Sequence, residues 1–339
     1  MSEYFDAQHE RAVIRLEQGL TARTEWPTWL LLALIYGGWF GTLMLFGAGH
    51  LRLPATTLAL VILNAWYMSL QHELLHGHPT RSARLNQILG CAPFAIWSPY
   101  ALYRDKHLAH HRDEDLTVPG VDPESNYVQA HRWQQMSQCH RALWHVRKTF
   151  IGRLLVGPPM MVFALLADAV REWLQGDFRY LRMWLMHGAL VIAMLVWLDT
   201  RIGIPYWYYL LAVSWPTQSL AMARSFREHR AAPAAKARIA INEAGTLMRL
   251  LYLNNNYHLI HHDLPRVPWY HLPRVYQMRR DAYREKCGNF VIHGGYWELL
   301  RLYALRQTDT PLYPSAANLL LQQEDQATDQ ASDLARRVW

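Results

Sequence analysis

Cysteine is scarce in this 339-residue chain, and Cys91, Cys139 and Cys287 have neither paired nor CxxC spacing. Their scatter excludes a disulfide framework and a thiolate metal site. No internal repeat is present. Charge is missing over long stretches, and this absence says most. Asp, Glu, Lys and Arg are all absent from Trp26 to Leu51, and again from Leu53 to Gln71. About 20 apolar residues carry a helix across the hydrocarbon core of a bilayer. With only a short polar break between them, the two runs read as an antiparallel helical hairpin. MWLMHGALVIAMLVWL from Met183 and IGIPYWYYLLAVSWPTQSLAMA from Ile202 form a second pair about a short DTRIG turn.

The expected fold is therefore all-α and integral to a membrane. Four transmembrane helices, near residues 29–49, 54–71, 183–199 and 203–223, form two hairpins beneath a helical cytoplasmic cap. Leu85 to Tyr103 is uncharged but carries Pro93 and Pro99, and LLVGPPMMVFALLA from Leu154 is short with a double proline. Both read as interfacial or re-entrant, because a broken helix at depth needs protein or water to satisfy its backbone. Three regions follow: an N-terminal cytoplasmic amphipathic segment (1–28), a catalytic membrane domain (29–314) and a polar tail (315–339) containing QQEDQATDQASD. The opening MSEYFDAQHERAVIRLEQGL is charged and amphipathic, a surface helix rather than a cleavable signal.

The formal net charge is +7, and arginine is dense between Arg224 and Arg306, whereas the turns near Arg52 and Arg201 hold one basic residue each. Basic segments remain cytoplasmic, so both termini and the long polar segments are expected inside. Beside membrane spans the positive charge is an orientation signal and not a nucleic-acid footprint. Aromatics gather near span ends, as in IPYWYYLL and IWSPYALY, where interfacial anchoring explains most of them.

Eighteen histidines are present, and their grouping carries the chemistry. His72, His76 and His78 form one group; His107, His110 and His111 a second, in HLAHH; His258, His261 and His262 a third, in HLIHH. His229 stands alone in SFREHR. Residues three or four apart share a helix face, so His72 and His76 point together and each HxxHH is expected to aim its three imidazoles at a common point. His78 falls off that face, and reads as a surface or supporting residue. Neutral imidazole is the commonest protein metal ligand, and so many ligands exceed what one four-coordinate ion takes, which implies two metals. Imidazole suits zinc, copper, iron and nickel alike, so spacing does not name the metal. If only the two hairpins cross the membrane, all these histidines meet on one face.

The order HxxxH, HxxHH, lone His, HxxHH, together with the hairpin layout, resembles the histidine boxes of the integral-membrane fatty acid desaturase and hydroxylase superfamily. The stretches DLTVPGVDPES and HHDLPRVPWYHLPR are similar to its bacterial fatty acid desaturase branch. The resemblance covers roughly residues 30–300. It implies a non-haem di-iron centre, two iron ions with O2 as co-substrate, acting on a fatty acyl chain. His72, His76, His107, His110, His111, His229, His258, His261 and His262 would be the metal ligands and catalytic residues. It also implies a lipid or fatty acid substrate, a bacterial inner-membrane location with a cytoplasmic active site, and an external electron donor. That donor would be ferredoxin-, rubredoxin- or cytochrome-like with its reductase, and the arginine-rich surface would suit an acidic one.

Desaturation is the leading expectation; hydroxylation and decarboxylation to a terminal alkene use the same ligand set. In animal acyl-CoA desaturases an Asn precedes the lone histidine by four positions, where this chain has Ser225. Metal-bound imidazoles commonly donate their other N–H to a carboxylate, and Glu73, Glu228, Asp113, Asp115 and Asp263 are the nearest candidates in sequence. A histidine-rich metal transporter or a bis-histidine haem protein would instead place ligands near the bilayer midplane, and only His187 lies mid-span.

Overall fold

The computed structural model describes residues 3–315, and within them the chain is all-α apart from one two-residue parallel pairing of Ile241–Asn242 with Val291–Ile292. The tail lies outside the described residues from 316 onward. Three helices are long and apolar enough to cross a membrane: Trp26–Gly47, Leu53–Leu75 and Leu181–Ile202. At 1.5 Å per residue each reaches about 33 Å, enough for the hydrocarbon core. Pro27 and Pro54 lie in first turns, where a missing N–H costs no helical hydrogen bond. Gly49 turns the chain between the first two at a φ of 77°.

Packing sorts the three. Leu53–Leu75 is the most enclosed and Leu181–Ile202 the least. The outer face of the latter shows Leu185, Ile192 and Val196 at 65%, 64% and 55% exposure, an apolar surface suited to lipid. Its C-terminal end winds into a π turn over Leu198–Ile202, so the expected DTRIG turn is a continuation of the helix, and the reversal comes at Gly203–Pro205.

The next apolar stretch departs from a regular helix. It runs as Tyr206–Tyr208, a π segment Tyr209–Ser214 and then Trp215–Arg224. Pro216 supplies the reason: it has no N–H to donate and its ring crowds the preceding turn, so the backbone widens ahead of it. A polar knot ties this stretch to the first two helices, because the Tyr209 hydroxyl accepts from Asn64 Nδ2 at 3.0 Å and from Trp39 Nε1 at 3.4 Å. Buried donors and acceptors that satisfy one another fix how apolar helices rotate against each other.

Two proline-bearing segments resolve differently. Residues 91–99 are non-helical between Ala83–Gly90 and Tyr100–His110, as their prolines foretell. The double proline at 158–159 instead starts a helix, Gly157–Leu174, because both prolines fall in its first turn. The break falls at Val156, between Phe150–Leu155 and this helix. The N-terminal helix Ala7–Glu17 is capped by Asp6 and is not a free surface helix. Val13 is fully buried, and Phe5 and His9 pack edge-on against Tyr283.

Two apolar cores result. One lies among the long helices around Trp39, Tyr67 and Phe94. The other joins the N-terminal helix to Phe226 and to the segments from Ile239 to Leu299. Glu243 clasps the second core: its carboxylate accepts from Tyr276 (2.6 Å), Arg280 (2.8 Å), Arg284 (2.9 Å) and His293 (2.9 Å). Burial would raise this carboxyl, but those bonds outweigh it and hold the group down at about 2. A carboxyl depressed from about 4.3 in the unfolded chain stabilises the fold above that pH and stops doing so as pH falls toward its folded value. Glu243→Gln is expected to cost about 1–2 kcal/mol at pH 7. The deficit against wild type should shrink between about pH 4.3 and 2, read as melting temperature in detergent across pH. An unchanged melting temperature at pH 7 would show the clasp to be dispensable.

Candidate metal centre

Nine imidazoles converge from four places in the chain. His72 lies in the last turn of Leu53–Leu75 and His76 caps it. His107 and His110 lie in the last turn of Tyr100–His110, with His111 as its C-cap. His258, His261 and His262 occupy the single-turn helix His258–Asp263. His229 comes from the extended segment that bridges to Ile239. The eight histidines of the three spaced groups and His229, which the family resemblance added, are brought together in two groups, the donor atoms of each lying within 4.8 Å of one another.

The division of these groups differs from the expectation. His72, His76, His107, His111 and His261 form one; His110, His229, His258 and His262 form the other. Each HxxHH therefore straddles both centres and does not serve one point. The i, i+4 pairs, His107 with His111 and His258 with His262, stay together. The third histidine of each box, His110 or His261, is rotated off that line and reaches the other group. His111 and His262 stack at 4.3 Å between centroids, joining the two groups.

The donor geometry fits cations. Nε2 of His107 and His111 are 3.0 Å apart, and Nε2 of His111 and His261 3.1 Å. In the second group Nε2 of His229 lies 3.0 Å from that of both His110 and His258. Two nitrogens each about 2.1 Å from a shared ion, at right angles, would be about 3.0 Å apart. Carboxylates fix which nitrogen is bare. His110 Nδ1 donates to Asp122 Oδ1 at 2.8 Å, and His107 Nδ1 to Glu124 Oε1 at 3.0 Å. With the proton at Nδ1, Nε2 presents a lone pair inward. Lone pairs facing one another at 3.0 Å repel unless a cation or a proton lies between them. His76 Nε2, also buried, has no hydrogen-bond partner among the described residues.

Electrostatics agrees. Burial pushes His111 down to about 2, with His107 and His110 adding to it. Burial, followed by neighbouring imidazoles, likewise lowers His258, His261 and His262. Neutral imidazoles are the form that ligates metal. Burial also disfavours a charged His110, yet Glu124 and Asp122 outweigh it and raise that group.

The supporting carboxylates were only partly foreseen. Glu73 Oε1 lies 3.5 Å from His72 Nδ1, and its other oxygen accepts the Trp269 N–H at 3.1 Å. Among the described residues Glu228, Asp115 and Asp263 bond to none of the nine imidazoles. Glu228 pairs with Arg224 and Asp263 with Lys236 and Lys286. The side chain of Asp113 lies outside what is described. Asp122 and Glu124 were missed because they stand 12 and 17 residues beyond their partners, with no local periodicity to connect them. Asn255 was missed too: it lies 3.4 Å from His72 Nε2 and 3.3 Å from His258 Nδ1, bridging the groups. Ser225 Oγ accepts from Arg153 Nη2 at 3.2 Å and donates to the Met222 carbonyl. His187, the one mid-span histidine, bonds the Ile96 carbonyl.

His78 is buried, not a surface residue, with 6% exposure. The helix stops at Leu75 and the chain turns through Gly77 at a φ of 93°, so His78 leaves the His72–His76 face by that turn and not by helical rotation. Its Nδ1 lies 2.7 Å from Glu25 Oε1, and Thr28 donates to the other oxygen of Glu25.

Compared with known families, residues 49–293 match the family model described as fatty acid desaturase, a span that contains all nine histidines. Comparison with curated proteins returns no match.

His76→Ala should release metal, whereas His78→Ala should keep metal content and lose about 3–5 kcal/mol of stability by leaving Glu25 buried without its cation. Metal analysis beside thermal melting checks both. Equal metal loss in the two variants would place His78 in the centre.

Proposed function

Because this chain belongs to the fatty acid desaturase family, we propose that it is a membrane-bound, O2-dependent di-iron oxidoreductase that desaturates a fatty acyl chain. The observation that carries this reading is the pair of buried histidine groups, five imidazoles and four, with Nε2 atoms converging. Two iron ions bound there supply the redox chemistry that activates O2 and removes hydrogen from an unactivated C–H bond. His72, His76, His107, His111 and His261 hold one ion and His110, His229, His258 and His262 the other. Asp122 and Glu124 keep the protons of His110 and His107 on Nδ1, so that Nε2 stays available. Six of the nine imidazoles are buried and three half-buried, which limits water at the centre.

The stretch Tyr206–Arg224 acts as a fourth span despite its π segment, pairing with Leu181–Ile202 as the second hairpin. The second core and the N-terminal helix form a cytoplasmic cap over residues that belong to one catalytic domain, 29–314. Both termini then lie on the cytoplasmic side of a bacterial inner membrane. Electrons come from a separate acidic donor, ferredoxin-, rubredoxin- or cytochrome-like, drawn by the arginine-rich cap.

Metal analysis of detergent-purified protein should give two iron ions per chain. His261→Ala and His110→Ala, one from each group, should each lose at least one ion and all turnover with reductant, O2 and fatty acyl substrates. Full occupancy in either variant would break the ligand assignment. Reporters near Ala130 and Ala234 should both be cytoplasmic. An opposite-side result would overturn the four-span arrangement.

A further inference from the structure

Positive charge is buried beside the histidine groups without an ion-pair partner among the described residues. Arg153, in the helix Phe150–Leu155, is 7% exposed. Its Nη1 donates to Asn126 Oδ1 at 2.6 Å and its Nη2 to Ser225 Oγ. Arg147, at the end of Gln138–Arg147, donates to the same Asn126 oxygen at 3.0 Å and lies 4.7 Å from the Trp144 ring centroid. The Nε atoms of both arginines are buried with no acceptor among the described residues.

Two guanidinium groups thus share one neutral amide oxygen. Neighbouring charges do not complete them. Lys148 is matched by Asp309 at 2.8 Å and Arg224 by Glu228 at 3.3 Å, and among the described residues no carboxylate lies within ion-pair distance of Arg147 or Arg153. A buried cation without a counter-charge is expensive, and like charges packed together are more so. Planar guanidinium forks match carboxylates bidentately.

The position of the pair is informative. Asn126 stands two residues beyond Glu124, whose carboxylate holds His107, so at most about 7 Å of chain separates them. Ser225, the C-cap of Trp215–Arg224, is four residues before His229. The arginines therefore flank the side of the centre where both groups meet the loop 122–127. Arg147 is half-buried and Arg153 deep, so the pair leads inward from the surface.

We propose that Arg147, Arg153 and Asn126 form a binding site for the carboxylate of a free fatty acid, holding the substrate's head group beside the histidine groups. This rests on the functional reading above and names its substrate class: an unesterified acid, not a thioester or phospholipid. A carboxylate suits the site because both arginines converge on one small polar point, which a single planar anion bridges.

Full-length protein in nanodiscs, titrated with a radiolabelled fatty acid, its methyl ester and lysophosphatidate, tests the assignment. The acid should bind at least about tenfold more tightly than the ester, the scale of a charge-assisted pair. That preference should disappear in Arg153→Gln and Arg147→Gln. Should either variant fail to fold, Asn126→Asp supplies an internal carboxylate to both arginines. It should raise the melting temperature while removing the preference for the acid. Equal binding of acid and ester by wild type, or an undiminished preference in Asn126→Asp, would overturn the proposal. So would arginine-dependent binding of lysophosphatidate alone, which would make this a phosphate site. Iron content is measured on the same samples. A protein without iron that still prefers the acid would refute the di-iron reading and leave this one standing.

Discussion

Nine imidazoles, six buried and three half-buried, with Nε2 atoms drawn against one another form the constraint on which the rest of this structure depends. Hydrogen bonding alone settles it poorly, because three Nε2 atoms meet among His110, His229 and His258 and a single proton bridges only one pair. Cations would resolve the conflict, and binding them would join four distant stretches of chain. Tyr100 packs with Leu70 and Leu74 in the first core, and Leu259 and Ile260 with Phe226 and Ile239 in the second, so the centre ties one core to the other. Metal affinity here is folding free energy, since the ligands come together only in the native chain.

The two apolar cores make sense against that constraint. The core of long helices delivers His72 and His76 to the end of a span, and the core around Ile239 to Leu299 delivers the third box. The ligands of the first two boxes arise where helices end, at C-caps and last turns, so that imidazoles project past the helix rather than against a neighbouring one. Polar residues crowd the HELLHGHPT stretch for the same reason. Two of its histidines are carried to the centre, and the third anchors the return of the chain on Glu25.

Periodicity and charge made much of this legible. Uncharged runs located the three long apolar helices, and histidine spacing selected eight of the nine residues that converge, the lone His229 coming from the family resemblance. Other features had no local signal. Whether a triplet serves one point or two depends on where its neighbours stand in space, so each HxxHH read as a single cluster although its members divide. Asp122 and Glu124 hold histidines from 12 and 17 residues away across an irregular loop. The proline at 216 was visible, but its effect, a widened helix in place of a regular one, depends on how the surrounding helices tolerate the extra girth.

The loop from Asp122 to Tyr127 shows how closely metal support and anion recognition are combined. Alternate residues have separate tasks: Asp122 takes His110, Glu124 takes His107, and Asn126 takes Arg147 and Arg153. A turn over 122–125, closed by the Ser125 N–H on the Asp122 carbonyl, presents the first two, and Asn126 follows in irregular backbone. An acid at position 126 would neutralise the arginines and close the account internally. An amide leaves their charge for an incoming carboxylate while still fixing their geometry. One short loop thus orients two metal-facing imidazoles and holds two cations ready beside them, so any shift of its backbone moves both together.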